Sequence, residues 1–158
     1  RVTVPIVAKV NGLAIGIGTT LLLHCDLVYA SENATFALPF VKLGLLPEAG
    51  SSLLLPRLCG HQRASELLLL GDNFSARQAQ QFGFVNAVVA ADELDQHVDN
   101  VIAKLTSQSR QALRISKQLI KSPQQSVADR ISHEAGYFAK ALSSDEAKQA
   151  IAAKLQKK

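Results

Sequence analysis

The sequence predicts an α/β domain followed by an all-helical extension, and three observations carry that prediction. Between Val2 and Ala30 a β-rich stretch, a glycine-spaced turn, a short apolar helix and a second β-rich stretch follow one another, the order of an α/β unit. Beyond Asp92 each segment repeats apolar residues at three- and four-residue spacing, as Ile131, Ala135, Phe138 and Leu142 do, the pattern of helices with one apolar face. The third observation is composition: 47% of 158 residues are hydrophobic but only 5% aromatic. Ala, Val, Ile and Leu therefore build the core, which suits helices packed on strands, and the length suffices to bury one.

The elements follow in order. Residues 2–10 alternate and are β-rich, with Pro5 near the start where a strand tolerates it. Gly12, Gly16 and Gly18 space a tight turn that runs into a short buried helix over 19–24. Residues 27–30 and 35–37 read as strands. Pro47 with Glu48 resembles a helix opening, so a helix is expected over 48–55, with Pro56 as its stop or kink. A helix over 61–70 ends at Gly71. Ser75 with Gln78 has the spacing of a capping box for a helix over 76–82, and 85–89 is a last strand. Helices are expected over 93–107, 109–121, 126–142 and 145–157. The division is accordingly 1–91 for the α/β part and 92–158 for the helical part.

Charge and cysteine usage narrow the classes. The net charge of +4 is concentrated late, in Lys104, Arg110, Arg114, Lys117, Lys121, Lys154, Lys157 and Lys158. Such charges spread along helices read as a solvated face, or as a surface for a polyanionic small molecule. No aromatic residues interleave them and no reader motif is present, so nucleic acid is not the expected partner. Cys25 and Cys59 lack CxxC spacing and read as buried free thiols. Thr19, Thr20, His24 and Asp26 interrupt the richest apolar stretch, so no membrane span is expected, and no basic segment followed by an apolar one opens the chain as a secretory signal would. The absence of Met and the start at Arg1-Val-Thr suggest a piece of a longer protein.

Candidate chemistry centres on two places. The run Gly12-x-x-x-Gly16-x-Gly18 has the wrong spacing for a dinucleotide fingerprint. It can be a close helix–strand packing turn, or a turn whose outward N–H groups form an oxyanion hole. Glu48 lies between Leu45-Leu46-Pro47 and Ala49-Gly50. It can complement a helix start, or it can serve as a general base in an apolar frame. His24, on an apolar helix face, is expected to be a satisfied core histidine. His61, His97 and His133 fall on polar helix faces without metal-ligand spacing, and Ser51 and Ser52 lack the setting of a hydrolase nucleophile.

Read together, Pro5 to Gly18, Cys25-Asp26-Leu-Val-Tyr-Ala30, Ala34-Thr-Phe36, Leu43-Gly44-Leu-Leu-Pro47, Gly71-Asp72-Asn-Phe-Ser75-Ala76 and Phe82-Gly83-Phe-Val85-Asn86 resemble the enoyl-CoA hydratase/isomerase (crotonase) superfamily, in order and over essentially the whole chain. The resemblance implies the C-terminal part of a crotonase-type ββα spiral followed by a helical trimerisation region, with a homotrimer or hexamer as the assembly. Hydratases of the family carry glutamates at the positions of Thr20 and Phe40, so hydration is disfavoured. The stretch from Phe40 to Ser52 is closest to the peroxisomal-type Δ3,Δ2-enoyl-CoA isomerases. The resemblance thus implies that Glu48 is the catalytic base and the Ile17 N–H an oxyanion-hole donor. Gly16, Thr20, Phe40, Val41 and Leu45 are implied to bind the acyl-CoA substrate. A coenzyme A thioester is then the substrate, with no metal and no further cofactor. In relatives an aromatic often stands where Lys154 falls here. The ending Gln156-Lys-Lys158 is not a peroxisomal address, and a cytoplasmic setting is expected. Two other readings remain open: another crotonase-type acyl-CoA reaction, and a non-catalytic acyl-CoA-binding or trimerising module.

Overall fold

Two three-stranded sheets grow side by side along the chain. In the structure, a computed structural model that describes residues 2–156 without the side chain of Lys154, the first turn comprises β1 (Val7–Val10), β2 (Leu13–Ile15) and α1 (Ile17–Thr20). The second comprises β3 (Leu27–Ser31), β4 (Thr35–Ala37), α2 (Ser51–Cys59) and α3 (His61–Ser65). The third comprises β5 (Phe74–Ser75), α4 (Ala76–Gln81) and β6 (Ala87–Val89). Each turn adds one strand to each of the two sheets, ordered β1-β3-β6 and β2-β4-β5. The first sheet is parallel throughout, with Val7 beside Leu27 and Tyr29 beside Ala87. In the second, β2 and β4 run parallel while β5 is antiparallel. A chain that repeatedly returns to the same two sheets is a spiral.

The core lies between those sheets and the helices that cover them. Phe36, Leu38 and Leu55 are fully buried, and each contributes roughly 1.5–3 kcal/mol by burial before entropy is counted. Phe36 stacks on Phe74 at 5.6 Å, and Phe74 meets Phe84 at 5.7 Å. Polar ties fix the edges. Ile6 N–H donates to Asp26 Oδ2 at 2.7 Å, and Asn86 exchanges two bonds of 2.7 Å with the Val28 backbone.

Several expected boundaries move. The strand expected over 2–10 pairs only from Val7, because Ile6 gives its N–H to Asp26 instead. The glycine turn contains a strand, β2, that becomes visible only through its pairing with β4. The helix over 19–24 begins earlier and tightens into a 3₁₀ turn at Leu21–His24. The helix expected from Glu48 starts at Ser51, because Ala49 (φ 51°) and Gly50 (φ 71°) are left-handed and cannot continue a right-handed helix. Pro56 does not stop that helix; it forgoes one bond to the carbonyl of Ser52, a residue on the exposed side. The helix over 61–70 changes to a π-turn at Glu66–Leu70 before Gly71. Ser75 and Gln78 form the expected capping box with both bonds present. Cys25 and Cys59 form no disulfide and are only half-buried.

The chain divides into two compact units, one running Ile6–Ala103 and the other taking up the chain before Ile6 and after Ala103. Most of α5 (Leu94–Thr106) belongs to the first. There Lys9 pairs with Asp95. The second unit holds α6 (Arg110–Ile120), α7 (Val127–Leu142) and α8 (Asp145–Leu155), each capped by a serine: Ser109, Ser126 and Ser144. Arg130 closes the end of α6 by donating to Leu119 O at 2.8 Å and Pro123 O at 3.2 Å. Among the described residues, no helix is long and apolar enough to cross a membrane. The expectations for the Lys154 side chain, Lys157 and Lys158 lie outside the described residues.

Candidate active site

Gly16 creates the first half of the site. Its backbone (φ 57°, ψ −115°) turns the chain from β2 into α1, a conformation that side chains disfavour. Its N–H donates to Ala37 O at 2.9 Å, and its carbonyl accepts from Thr19 N at 2.9 Å and Thr20 N at 3.0 Å. Helix starts leave N–H groups without intrahelical acceptors. Here the N–H groups of Ile17 and Gly18 have no acceptor among the described residues. Thr19 anchors this turn from within: it is fully buried, and its hydroxyl lies against the carbonyls of Ala14 and Ala37, the latter at 3.2 Å.

The second half comes from the loop after β4. Phe40 is buried and its ring edge lies 4.0 Å from where a Cβ on Gly16 would stand. A larger residue at 16 would therefore meet that ring. A 3₁₀ turn at Val41–Leu43 follows, closed by left-handed Gly44 (φ 67°). Leu45 N–H returns to Phe40 O at 2.8 Å. Val41 and Leu45 are about half exposed, at 48% and 55%, so they present apolar surface on the loop.

Glu48 lies between these halves, on the turn before α2. The fully buried Thr20 donates its hydroxyl to Glu48 Oε1. The alternative acceptor, Ile17 O, is more distant at 3.4 Å. The Glu48 carbonyl accepts Ser51 N–H at 2.9 Å. Ala49, the next residue, holds a positive φ of 51°, a strain of roughly 1–3 kcal/mol of the kind found where geometry is functionally constrained. Its carbonyl is 2.8 Å from His24 Nε2. A carbonyl only accepts, so Nε2 carries the proton. Ser51 is fully buried and its hydroxyl has no partner among the described residues.

Of the residues singled out by sequence, the structure joins Glu48 to Thr20 and sets Phe40 against Gly16. Ile17 lies on the same short helix as Thr20, while Val41 and Leu45 stay on the loop rim. His24 corrects an expectation: it is exposed rather than in the core, and it tethers the loop that bears Glu48. In a 3₁₀ turn residues three apart eclipse, so His24 shares the outward direction of Leu21, which is 56% exposed. No local pattern pointed to its contact with Ala49.

Alternating addition of strands to two sheets, a glycine turn with open N–H groups and a single carboxylate tied to that turn define a spiral protein of the crotonase type. The chain belongs to the enoyl-CoA hydratase/isomerase family, whose profile matches residues 1–158. It is 36% identical over 155 residues to the 2,3-dehydroadipyl-CoA hydratase of Escherichia coli, covering 98% of this chain and 61% of that protein. It is 39% identical over 125 residues to the 1,2-epoxyphenylacetyl-CoA isomerase of the same organism, covering 79% of this chain and 48% of the relative. The enoyl-CoA hydratase of Bacillus anthracis has a similar structure, with a TM-score of 0.93 at 30% identity over 100% of this chain and 62% of that one. The chain thus spans about half to three-fifths of the length of these relatives.

Proposed function

We propose that this chain carries the base and part of the oxyanion site of a Δ3,Δ2-enoyl-CoA isomerase, which converts a 3-enoyl-CoA to the trans-2-enoyl-CoA. The observation that carries the reading is the single carboxylate of Glu48, held by the hydroxyl of Thr20 beside a turn with open N–H groups. Thr20 and Phe40 stand where hydratases of the family place two glutamates, and neither side chain can activate or protonate a water. Hydration would need an acid from elsewhere.

In the proposed reaction the thioester oxygen accepts from Ile17 N–H and from a second donor outside this chain. Glu48 removes a proton from C2; the C2–H electron pair moves into the thioester and gives a dienolate. The same carboxyl then delivers that proton to C4, and the dienolate electrons settle as the C2–C3 double bond. Atoms and charge balance with one carboxylate, and the proton transfer itself calls for no metal or redox cofactor. Each oxyanion donor is worth roughly 2.7–4 kcal/mol where such donors have been removed. Phe40 closes the base of the acyl site, with Gly16, Val41 and Leu45 around it, and excludes water from the intermediate.

Residues 1–91 carry this site in the proposal, and residues 92–158 supply the assembly surface of a trimer or hexamer. The exposed Ile131, Phe138 and Leu142 on α7 support that assignment. A second reading is favoured by the relatives named as hydratases and as an epoxyphenylacetyl-CoA isomerase: another crotonase-type acyl-CoA reaction, with Glu48 again as its base. The experiment is turnover of a 3-enoyl-CoA by the protein as its own gene encodes it, beside Glu48→Gln. Loss of about 10²–10⁴ in kcat is expected. Unchanged turnover in the variant sinks the reading, and hydration of a 2-enoyl-CoA without isomerisation transfers support to the second.

A further inference from the structure

We infer that Thr20 and His24 are positioning residues that clamp the Glu48 turn at two points, and that this clamp makes the proton removed from C2 the one delivered to C4. The inference rests on Glu48 being the base, as proposed above. Its own content is the mechanism of retention.

The helical segment from Ile17 to His24 reaches the turn twice. Thr20, at the end of α1, donates to the carboxylate of Glu48. His24, four residues later at the end of the 3₁₀ turn, donates from Nε2 to Ala49 O at 2.8 Å. One bond fixes an oxygen of the side chain and the other fixes the adjacent peptide. Between them lies the peptide that sets the direction of the Glu48 side chain. Ala49 is held at φ 51° there, and a non-glycine residue keeps such a conformation only when its surroundings impose it. The Ser51 N–H bond to Glu48 O at 2.9 Å completes the turn from the other side.

The chemical consequence concerns where the proton goes. After the C2–H bond breaks, the proton resides on a Glu48 oxygen while the dienolate waits. Thr20 occupies Oε1, so the other oxygen is the one available to carry that proton between C2 and C4. A carboxyl held in this way rotates little and delivers its own proton before exchanging it with solvent. A carboxyl freed from the clamp turns toward water, and the C4 hydrogen then comes increasingly from solvent. Positioning of this kind acts on the chemical step, because a misplaced base is costly even when substrate binds normally.

The test measures solvent deuterium at C4 of the product formed in D₂O, together with kcat and KM, in the protein as its own gene encodes it. Thr20→Val keeps the shape and removes the donor. It is expected to lower kcat by about 10- to 100-fold, the range of a hydrogen bond to a charged group, with KM changed less than about threefold, and to raise deuterium at C4. Thr20→Ser restores both. His24→Leu is expected to raise deuterium at C4 with a smaller fall in kcat, and His24→Gln, which keeps a donor, restores retention. Because His24 is exposed, its pair of variants gives the reading even where Thr20→Val does not fold. Unchanged kcat and unchanged deuterium in Thr20→Val or His24→Leu overturn the clamp while Glu48→Gln remains inactive. A Glu48→Gln variant that turns over substrate instead overturns the base assignment itself.

Discussion

Glycines 44 and 71 share almost the same backbone conformation but not the same surroundings, and that contrast predicts two different outcomes for one substitution. Gly44 has φ 67° and a Cβ added there would meet nothing within 4 Å, whereas Gly71 has φ 63° and its Cβ would stand 3.0 Å from Pro39 Cα and 3.1 Å from Leu38 O. Placing alanine in the left-handed region costs about 1–2 kcal/mol at either position. At Gly71 the methyl also meets backbone, which cannot rotate away, and forced overpacking adds about 1–3 kcal/mol. Gly44→Ala is therefore expected to cost about 1–2 kcal/mol and Gly71→Ala about 2–5 kcal/mol. At roughly 2–4 °C per kcal/mol for a domain of this size, the midpoints fall by about 2–8 °C and about 4–20 °C. Urea or thermal unfolding followed by circular dichroism reads the difference. Pro39 immediately precedes Phe40, so Gly71→Ala should also weaken substrate binding, while Gly44→Ala acts on the loop rim. Equal destabilisation by the two variants would refute the argument, because it would mean that backbone conformation alone sets the cost.

Two further predictions concern groups that the reaction does not use directly. The buried Ser51 hydroxyl has no partner among the described residues, and an unpaired buried hydroxyl costs about 1–3 kcal/mol; Ser51→Ala should therefore leave stability unchanged or raise it by about 1 kcal/mol, and a loss above that size would show that the hydroxyl is bonded. Burial pushes the Cys59 thiol above its usual range, against a smaller lowering by Arg63, so less thiolate is present at pH 8 than on a free cysteine. Alkylation of Cys59 at that pH should be slower than that of a free thiol, and the unfolded chain, which ionises first as pH rises past about 8.5, should gain on the folded one. A Cys59 that is alkylated at the free-thiol rate contradicts the assignment.

What the sequence disclosed follows the range of the interactions concerned. The capping box of Ser75 and Gln78 was readable because both partners lie within one helical turn. The four C-terminal helices were readable because apolar residues at three- and four-residue spacing are equally local. The strand at Leu13–Ile15 was not, since glycines flank it and only its pairing with Thr35–Ala37 makes it a strand. Glu48 stood out as an acid among apolar neighbours, but its helix did not begin where Pro47 suggested. Left-handed Ala49 and Gly50 delay it, and nothing in an Ala-Gly pair announces a positive φ on alanine. The Thr20 contact to Glu48 spans 28 residues. It was legible only as a resemblance that made Thr20 part of the substrate site; the structure gives it a carboxylate to hold. His24 was misplaced because Leu21-Leu22-Leu23 suggested a buried face, which the change from α to 3₁₀ geometry rotates outward.

On the family resemblance, threonine stands at position 20 where hydratases carry an acid, and on the proposed reading this bears on the chemistry beyond the absence of a second acid. A carboxylate there would lie within hydrogen-bonding reach of Glu48, and two like charges at that separation repel. Such a pair is useful when a water must be held between two acids, one to deprotonate it and one to protonate carbon. A hydroxyl does the opposite: it contributes a single proton donor, occupies one carboxylate oxygen and leaves the other unencumbered. Phe40, which is buried and which the resemblance sets at the second acid position of hydratases, would on the same reading offer a water no polar contact. On the proposed reading these two residues do more than disable hydration. Thr20 converts the place of an acid into a support for the remaining base, and Phe40 keeps the intermediate dry while one carboxyl moves a proton over the two carbons.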